Sequence, residues 1–172
     1  MRTFQEWCCV REASVSKDEY FHTTSPQVVN NIFQNGFATG IKSSLELGPG
    51  VYLSVNRTAY PTHLTTHDGK TSSVTTIRVA VDPSVKFLNM EFGANTPLQI
   101  IRALYGYDEG NKVYDKLSKQ LFAIGGPNWR FIHNLLIQNG YGGIKRENDH
   151  EAGNRDVVVF DASKVKPIEV VG

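Results

Sequence analysis

Cysteine and long hydrophobic runs are scarce in this chain, and each absence excludes a class of protein. The only two cysteines, Cys8 and Cys9, are adjacent. A bridge between neighbours is strained, so we expect no disulfide framework, and a reducing compartment is favoured. Two thiols at this spacing also make no zinc site. No apolar run approaches the roughly 20 residues of a membrane-spanning helix, and Met1–Glu6 lacks the apolar region of a signal peptide. We expect a cytoplasmic protein, of the producing or a target cell, with no membrane partner.

An excess of one charge is also missing. The 18 Lys and Arg residues nearly balance the 17 Asp and Glu residues, which leaves a formal net charge of +1. Proteins that coat nucleic acid usually need a large cationic excess, so that class is disfavoured, although one specific nucleic-acid substrate is not excluded. The length of 172 residues predicts a single domain over 1–172.

Helical and strand signals are mixed along the whole chain. Helical periodicity and end signals predict helices at 26–35, 56–67, 97–105, 111–124 and 128–138. Alternating or β-branched runs predict strands at 4–10, 19–23, 51–54, 73–81, 85–88, 141–144, 157–160 and 165–171, with loops at 38–49 and 145–155. Helices grouped in blocks between strands indicate an α+β fold instead of a Rossmann-like alternation.

Three motifs place polar groups at the edges of these strands. They are Tyr20–Thr24, Gly48–Ser54 and Asn154–Asp161. Each has an ordinary structural interpretation: His22 as a core histidine, the glycines as a tight turn, and Asp156 as a charge at a strand edge. Gly48-Pro49-Gly50 precedes a strand, which is the wrong context for a phosphate-binding loop.

Taken together, in this order, the motifs resemble the ADP-ribosyltransferase superfamily. The resemblance is to the branch with a His, Tyr and acidic triad, which includes diphtheria toxin and the poly(ADP-ribose) polymerases. The family's His-Gly-Thr is matched by His22-Thr23-Thr24, and the Gly-Phe pair after the next helix by Gly36-Phe37. Its Gly-x-Gly-Val-Tyr-Leu is matched by Gly48–Leu53. Aligning Asp161 with the closing Asp of its last motif puts Asp156 on the acidic position.

The resemblance spans about residues 20–170 and implies a fold and an activity. The implied fold is a split mixed β-sheet around an NAD cleft, with a helical insert at about 96–139. The implied activity is mono-ADP-ribosylation, with NAD as co-substrate and no metal. The implied acceptor is a macromolecule, most simply a protein, with nucleic acid not excluded. Compact relatives of this kind are toxins, effectors or phage proteins that disable a host machine.

The resemblance also assigns roles to individual residues. Asp156 stabilises the oxocarbenium-like ribose and accepts a hydrogen bond from its 2′-hydroxyl. His22 binds a ribose hydroxyl, and Thr23 offers its main chain to the nicotinamide amide. Tyr52 stacks on the nicotinamide ring, with Tyr60 as the second aromatic.

Several positions depart from the family pattern. Thr23 stands where the family has Gly, which narrows the approach to the main chain. Asp156 is shorter than the usual Glu by one methylene, and Glu151 is the alternative acid. The pair Asn154-x-Asp156 replaces the Glu-x-Glu of arginine-specific members, which argues against arginine as the acceptor.

Other functions remain open on the sequence alone. An NAD glycohydrolase would use water as acceptor, and a catalytically inactive binding module would share the fold. A tRNA 2′-phosphotransferase relative uses basic residues at its site, which Asp156 does not match.

Two histidine-containing segments admit a metal interpretation. His63 and His67 have the i, i+4 spacing of a helical metal site, but no third ligand accompanies them. His150 lies in a charged segment for which a solvated loop is the simpler interpretation, with contacts to the acceptor as a second hypothesis.

Overall fold

The chain folds as an α+β protein. The computed structural model describes residues 18–39, 47–55, 63–65, 69–90, 95–147 and 155–171. Within these residues there are four α-helices: α1 (Pro26–Asn35), α2 (Thr96–Tyr105), α3 (Tyr107–Leu121) and α4 (Trp129–Gln138). The same residues contain eleven strands: β1 (Tyr20–Thr24), β2 (Val51–Val55), β3 (His63–Thr65), β4 (Thr71–Ser73), β5 (Thr75–Val81), β6 (Phe87–Met90), β7 (Phe122–Ala123), β8 (Gly126–Pro127), β9 (Gly143–Glu147), β10 (Arg155–Val159) and β11 (Val165–Val170).

Seven of these strands form one mixed sheet. Their order is β11-β5-β1-β2-β10-β9-β6, and every neighbouring pair is antiparallel except the parallel pair β6–β9. The strands β3–β4 and β7–β8 form two separate two-stranded ribbons. The α+β class predicted from the sequence is therefore confirmed.

The resemblance led us to expect a split mixed sheet around a cleft. All seven strands belong to one hydrogen-bonded sheet, but β1 and β2 share only two register pairs, Tyr20↔Val55 and Phe21↔Ser54. On its other side β1 keeps five register pairs with β5. The pairing with β2 thus ends after Phe21. Beyond that residue β1 is paired with β5 alone.

Both faces of the sheet are covered, which explains the apolar run at β10. Val158 packs with the cluster under α2, α3 and α4, whereas Val157 and Val159 pack on the opposite face with α1. All three valines are fully buried. A strand buried on both faces reads as continuous hydrophobic sequence instead of an alternating one.

The first helix follows its sequence signals closely. Pro26 occupies its first turn, where the missing N–H costs nothing, and Ile32 is its buried contact with the sheet. Gly36 ends it with φ +78° and an N–H bond of 2.9 Å to the carbonyl of Ile32. The prediction of a helix over 26–35 is confirmed residue for residue.

Three sequence-based assignments are wrong, each for a tertiary reason. The predicted helix at 56–67 fails over His63–Thr65, which pairs with β4 as a strand. The predicted helix at 111–124 begins earlier and ends at Leu121, because the next residues turn into the β7–β8 hairpin. The predicted loop at 145–155 is strand at both ends, since β9 extends to Glu147 and β10 begins at Arg155.

Several predictions fall outside the described residues. These are the strand at 4–10 with Cys8 and Cys9, and the residues Tyr60, His67, His150 and Glu151. Across the part of the chain that the structure describes, none of the helices combines the length and apolar character needed to cross a membrane.

Candidate functional site

Three adjacent strands hold the residues predicted to form a triad. Strand β2, which carries Tyr52, lies between β1, which carries His22, and β10, which carries Asp156. Neighbouring strands are about 4.8 Å apart. Residues from three distant parts of the chain are thereby brought into one region of the sheet.

His22 lies where the pairing of β1 with β2 has ended. Its Nδ1 is 2.8 Å from the main-chain carbonyl of Tyr52, and the edge of the Phe37 ring contacts it at a centroid distance of 5.0 Å. Burial lowers the pKa of His22 below its ordinary 6.5, and the bond to the Tyr52 carbonyl offsets this only in part. The imidazole is therefore neutral near pH 7. Since a carbonyl can only accept, Nδ1 carries the proton and Nε2 is a hydrogen-bond acceptor.

Thr23 has a structural partner that the family's glycine would lack. Its hydroxyl lies 3.2 Å from the hydroxyl of Thr76, its register partner on β5, and Thr76 is fully buried. Paired threonines of this kind stabilise antiparallel strands. The Thr23 hydroxyl therefore has a structural role between β1 and β5 that a glycine could not fill.

Tyr52 closes the turn that precedes its own strand. Its hydroxyl accepts a hydrogen bond from the N–H of Leu47 at 3.0 Å and donates one to the carbonyl of Gly48 at 2.8 Å. The half-buried ring packs against the core under the helices. The hydroxyl therefore has a structural task, and the ring is half-buried, so only its exposed part is open to a ligand.

The two glycines of the motif are required by close packing. A Cβ on Gly48 would lie 2.5 Å from the indole of Trp129, and the φ of Gly48 is +81°. A Cβ on Gly50 would lie 2.3 Å from a methyl of Val158 and 2.8 Å from the carbonyl oxygen of Val159. The structural interpretation of Gly48-Pro49-Gly50 as a tight turn is sufficient to explain both glycines.

Asp156 lies in the middle of a polar row across three strands of the sheet. It is the register partner of Ser54 on β2 and of Arg146 on β9, so these side chains share one face. The guanidinium Nη2 of Arg146 donates to Oδ2 of Asp156 at 2.9 Å. Arg146 is a site residue that the sequence reasoning missed, because the segment holding it was predicted to be a solvated loop.

The register also decides which predicted residues face one another. Tyr52 pairs with Val158, two residues from Asp156, so Tyr52 and Asp156 are diagonal neighbours on one face, about 7–8 Å apart. Phe21 is the register partner of Ser54 and therefore lies on the face of Tyr52 and Asp156. The next residue, His22, starts from the opposite face. The sheet brings Tyr52 and Asp156 together, whereas His22 reaches them only through the main chain of Tyr52.

A second histidine lies next to the same turn. The ring of His133 on α4 stacks on Phe160 at 4.0 Å, and its Nε2 is 3.4 Å from the carbonyl of Leu47. Burial lowers its pKa below the ordinary 6.5, against the opposing effect of the Leu47 carbonyl. Its position among apolar helical residues gives no sequence signal for this contact.

The remaining predicted site residues are placed differently. Tyr60 and the alternative acid Glu151 lie outside the described residues. His63 lies in a strand, so the helical i, i+4 spacing with His67 does not apply. Among the described residues no three His, Cys, Asp or Glu side chains are grouped as a metal site would need.

A pocket of about 640 Å³ lies elsewhere, beside Tyr20, Phe87 and Lys145. Of the predicted site residues that the structure describes, none lines this pocket. Its cations already have partners within the protein, because Lys145 bonds Asp18 and Arg78 bonds Glu169. The volume of this pocket is not by itself evidence of function. The polar row at Asp156 therefore remains the candidate functional site.

No protein-family model, curated protein or solved structure matches this chain.

Proposed function

We propose that this protein is an ADP-ribosyltransferase that cleaves NAD and transfers ADP-ribose to a macromolecular acceptor. The observation that carries the proposal is that Tyr52 and Asp156 share one face of two adjacent strands, while His22 on the next strand contacts the Tyr52 carbonyl. The strand order that unites them was not used in recognising the motifs, so it supports the resemblance independently.

The reaction breaks the bond between C1′ of the ribose and the nicotinamide nitrogen. The bonding electrons leave with nicotinamide, whose ring is cationic beforehand and becomes neutral, so departure needs no general acid. A lone pair of the acceptor forms the new bond at C1′, and the acceptor releases its proton to solvent. In between, positive charge develops on the ribose.

Asp156 supplies the negative charge that this transition state needs. A carboxylate about 4 Å from the ribose cation stabilises it by about 4 kcal/mol at an effective dielectric constant near 20. Among the described residues, Arg146 is the hydrogen-bond donor to this carboxylate, and it bonds Oδ2. Oδ1 is the oxygen that accepts the ribose 2′-hydroxyl.

His22 and Tyr52 hold the substrate. The Nε2 of His22 accepts a hydrogen bond from a ribose hydroxyl, because its Nδ1 proton is directed to the Tyr52 carbonyl. The Tyr52 ring stacks on the nicotinamide, where an electron-rich face suits a cationic heterocycle. The main chain of Thr23 binds the nicotinamide amide, and Tyr60 is the second stacking residue.

The acceptor in this proposal is a protein, modified in the cytoplasm of the producing or target cell. The protein then acts as a toxin, an effector or a phage inhibitor of a host machine. Water as the acceptor would make it an NAD glycohydrolase, which the same site geometry permits.

A second candidate, a catalytically inactive binding module, is favoured by one observation. The ion pair between Arg146 and Asp156 occupies part of the carboxylate that catalysis needs. In such a module Asp156 would serve only to join β9 to β10.

The test uses NAD labelled in the adenosine half, with released nicotinamide and labelled macromolecules measured separately. The informative variant is Asp156→Asn, because the amide oxygen still accepts from Arg146 and the fold is preserved. We expect turnover to fall at least about 100-fold, as for the loss of one electrostatic stabiliser. Asp161→Asn is the matched control: this aspartate follows the same strand, and asparagine can cap the next turn as Asp161 does.

Each outcome selects one function. Label on a macromolecule indicates transfer, and released nicotinamide without label indicates hydrolysis. A wild-type protein that neither binds nor cleaves NAD rejects both enzyme hypotheses. Full activity of Asp156→Asn moves the acidic role to Glu151 or removes the triad altogether.

A further inference from the structure

Arg146 and Asp156 form a charge pair of 2.9 Å at the candidate site, and the two side chains differ in exposure. The side chain of Arg146 is 9% exposed and that of Asp156 is 37% exposed. The arginine lies next to Met90, its buried register partner on β6. Burying a cation lowers the stability of the fold unless a well-formed ion pair offsets the loss of its hydration.

The pair has a defined orientation. Nη2 of Arg146 bonds Oδ2 of Asp156, and no other described residue donates to that carboxylate. The 37% exposure of the Asp156 side chain leaves room for a second contact beside the bond that Arg146 makes to Oδ2.

We propose that Arg146 is a positioning residue that holds Asp156 with Oδ1 toward the ribose; this inference rests on the proposed ADP-ribosyltransferase function. A half-exposed aspartate would otherwise rotate among several side-chain conformations. Misplacing a catalytic group by about 1 Å can lower the reaction rate on the order of 100-fold.

This role differs from a purely structural ion pair in what it predicts for kinetics. Arg146 does not touch NAD in the proposal, so its loss lowers kcat and leaves the KM for NAD nearly unchanged. Its effect passes through Asp156, so it disappears when Asp156 is already inactive. A structural pair would lower stability without this pattern.

The experiment compares nicotinamide release by the wild type, Arg146→Gln, Arg146→Lys and Asp156→Asn, together with thermal unfolding of each. Arg78→Gln is the matched control. Arg78 lies in the same row of the sheet, two strands from Ser54, and bonds Glu169 instead of an acid at the site. The double variant of Arg146→Gln and Asp156→Asn completes a cycle.

For Arg146→Gln we expect kcat to fall on the order of 10- to 100-fold with KM within about threefold of the wild type. Arg146→Lys keeps the charge but not the planar fork, so its kcat should lie between those of wild type and Arg146→Gln. Arg78→Gln should keep the wild-type kcat. In the Asp156→Asn background, Arg146→Gln should lower kcat no further.

Wild-type kcat in Arg146→Gln overturns the inference, as does a further fall in the double variant. If Arg146→Gln does not fold, Arg146→Lys decides, and wild-type kcat in that variant overturns the inference. If the wild-type protein releases no nicotinamide, the proposed function itself fails and this role fails with it. An active wild type with an unaffected Arg146→Gln leaves the proposed function standing and removes only the role of Arg146.

Discussion

His22 Nδ1 lies 2.8 Å from the main-chain carbonyl of Tyr52, one strand away and beyond the last register pair of β1 with β2. A side chain thus joins the two strands where their regular pairing has stopped. The same bond orients the ring and directs the proton to Nδ1, so it prepares Nε2 to accept a hydrogen bond. In the proposed function, one imidazole therefore serves both the contact between the strands and the recognition of NAD.

We predict that His22→Ala weakens NAD binding by roughly 3- to 10-fold, the value of about one neutral hydrogen bond. Calorimetric titration with NAD measures the change. His133→Gln is the control, since His133 also contacts a main-chain carbonyl but lies on α4. Equal NAD affinity in His22→Ala and the wild type would remove His22 from the binding site.

The stability of the protein should decrease in mild acid. Burial lowers the pKa values of His22 and His133 below 6.5, so the folded state keeps both rings neutral. As pH falls below 6.5, the unfolded chain takes up these protons first. The stabilisation is therefore complete above pH 6.5 and is lost progressively as pH falls through the folded-state values.

Urea unfolding at about pH 7.5 and about pH 5.5 measures this dependence. The free energy of unfolding should be smaller at the lower pH, and His133→Gln should reduce the difference. The same pH dependence in a variant that lacks both histidines would contradict this explanation.

Gly48→Ala should destabilise the protein by roughly 1–3 kcal/mol more than Gly140→Ala. Both glycines have positive φ, +81° and +84°, so both variants include the same backbone strain. Only at Gly48 would the added Cβ lie 2.5 Å from the Trp129 indole, whereas nothing lies within 4 Å at Gly140. Chemical denaturation gives both values, and equal losses would show that the indole moves aside at little cost.

Tyr52→Phe should lower the free energy of unfolding by about 1–3 kcal/mol, because the N–H of buried Leu47 loses its acceptor and the Gly48 carbonyl loses its donor. Tyr107→Phe, at an exposed tyrosine on α3, should have almost no effect. Thermal unfolding compares the two variants.

The ring and the hydroxyl of Tyr52 should contribute differently to the affinity for NAD. Tyr52→Phe keeps the stacking face and should bind NAD within about threefold of the wild type, whereas Tyr52→Ala should bind it more weakly. If NAD affinity is unchanged in a folded Tyr52→Ala, the stacking role is wrong.

Local signals in the sequence were enough for part of this fold. Pro26 and Gly36 set the two ends of α1 because their backbone preferences act within a few residues, and the apolar run at 157–160 predicted a strand. The candidate residues His22, Tyr52 and Asp156 were also found this way. Each belongs to a short motif, and motifs are contiguous in the chain.

Only the tertiary structure decided how those residues meet. The partner of Asp156 is Arg146, which depends on the register of β9 with β10 and not on any spacing within one segment. The strand at His63–Thr65 likewise depends on its partner β4. By itself the sequence determined an α+β chain with three polar motifs at strand edges, because those patterns are local. Their placement on adjacent strands, with one carboxylate held by a buried arginine, required the long-range pairing of the sheet.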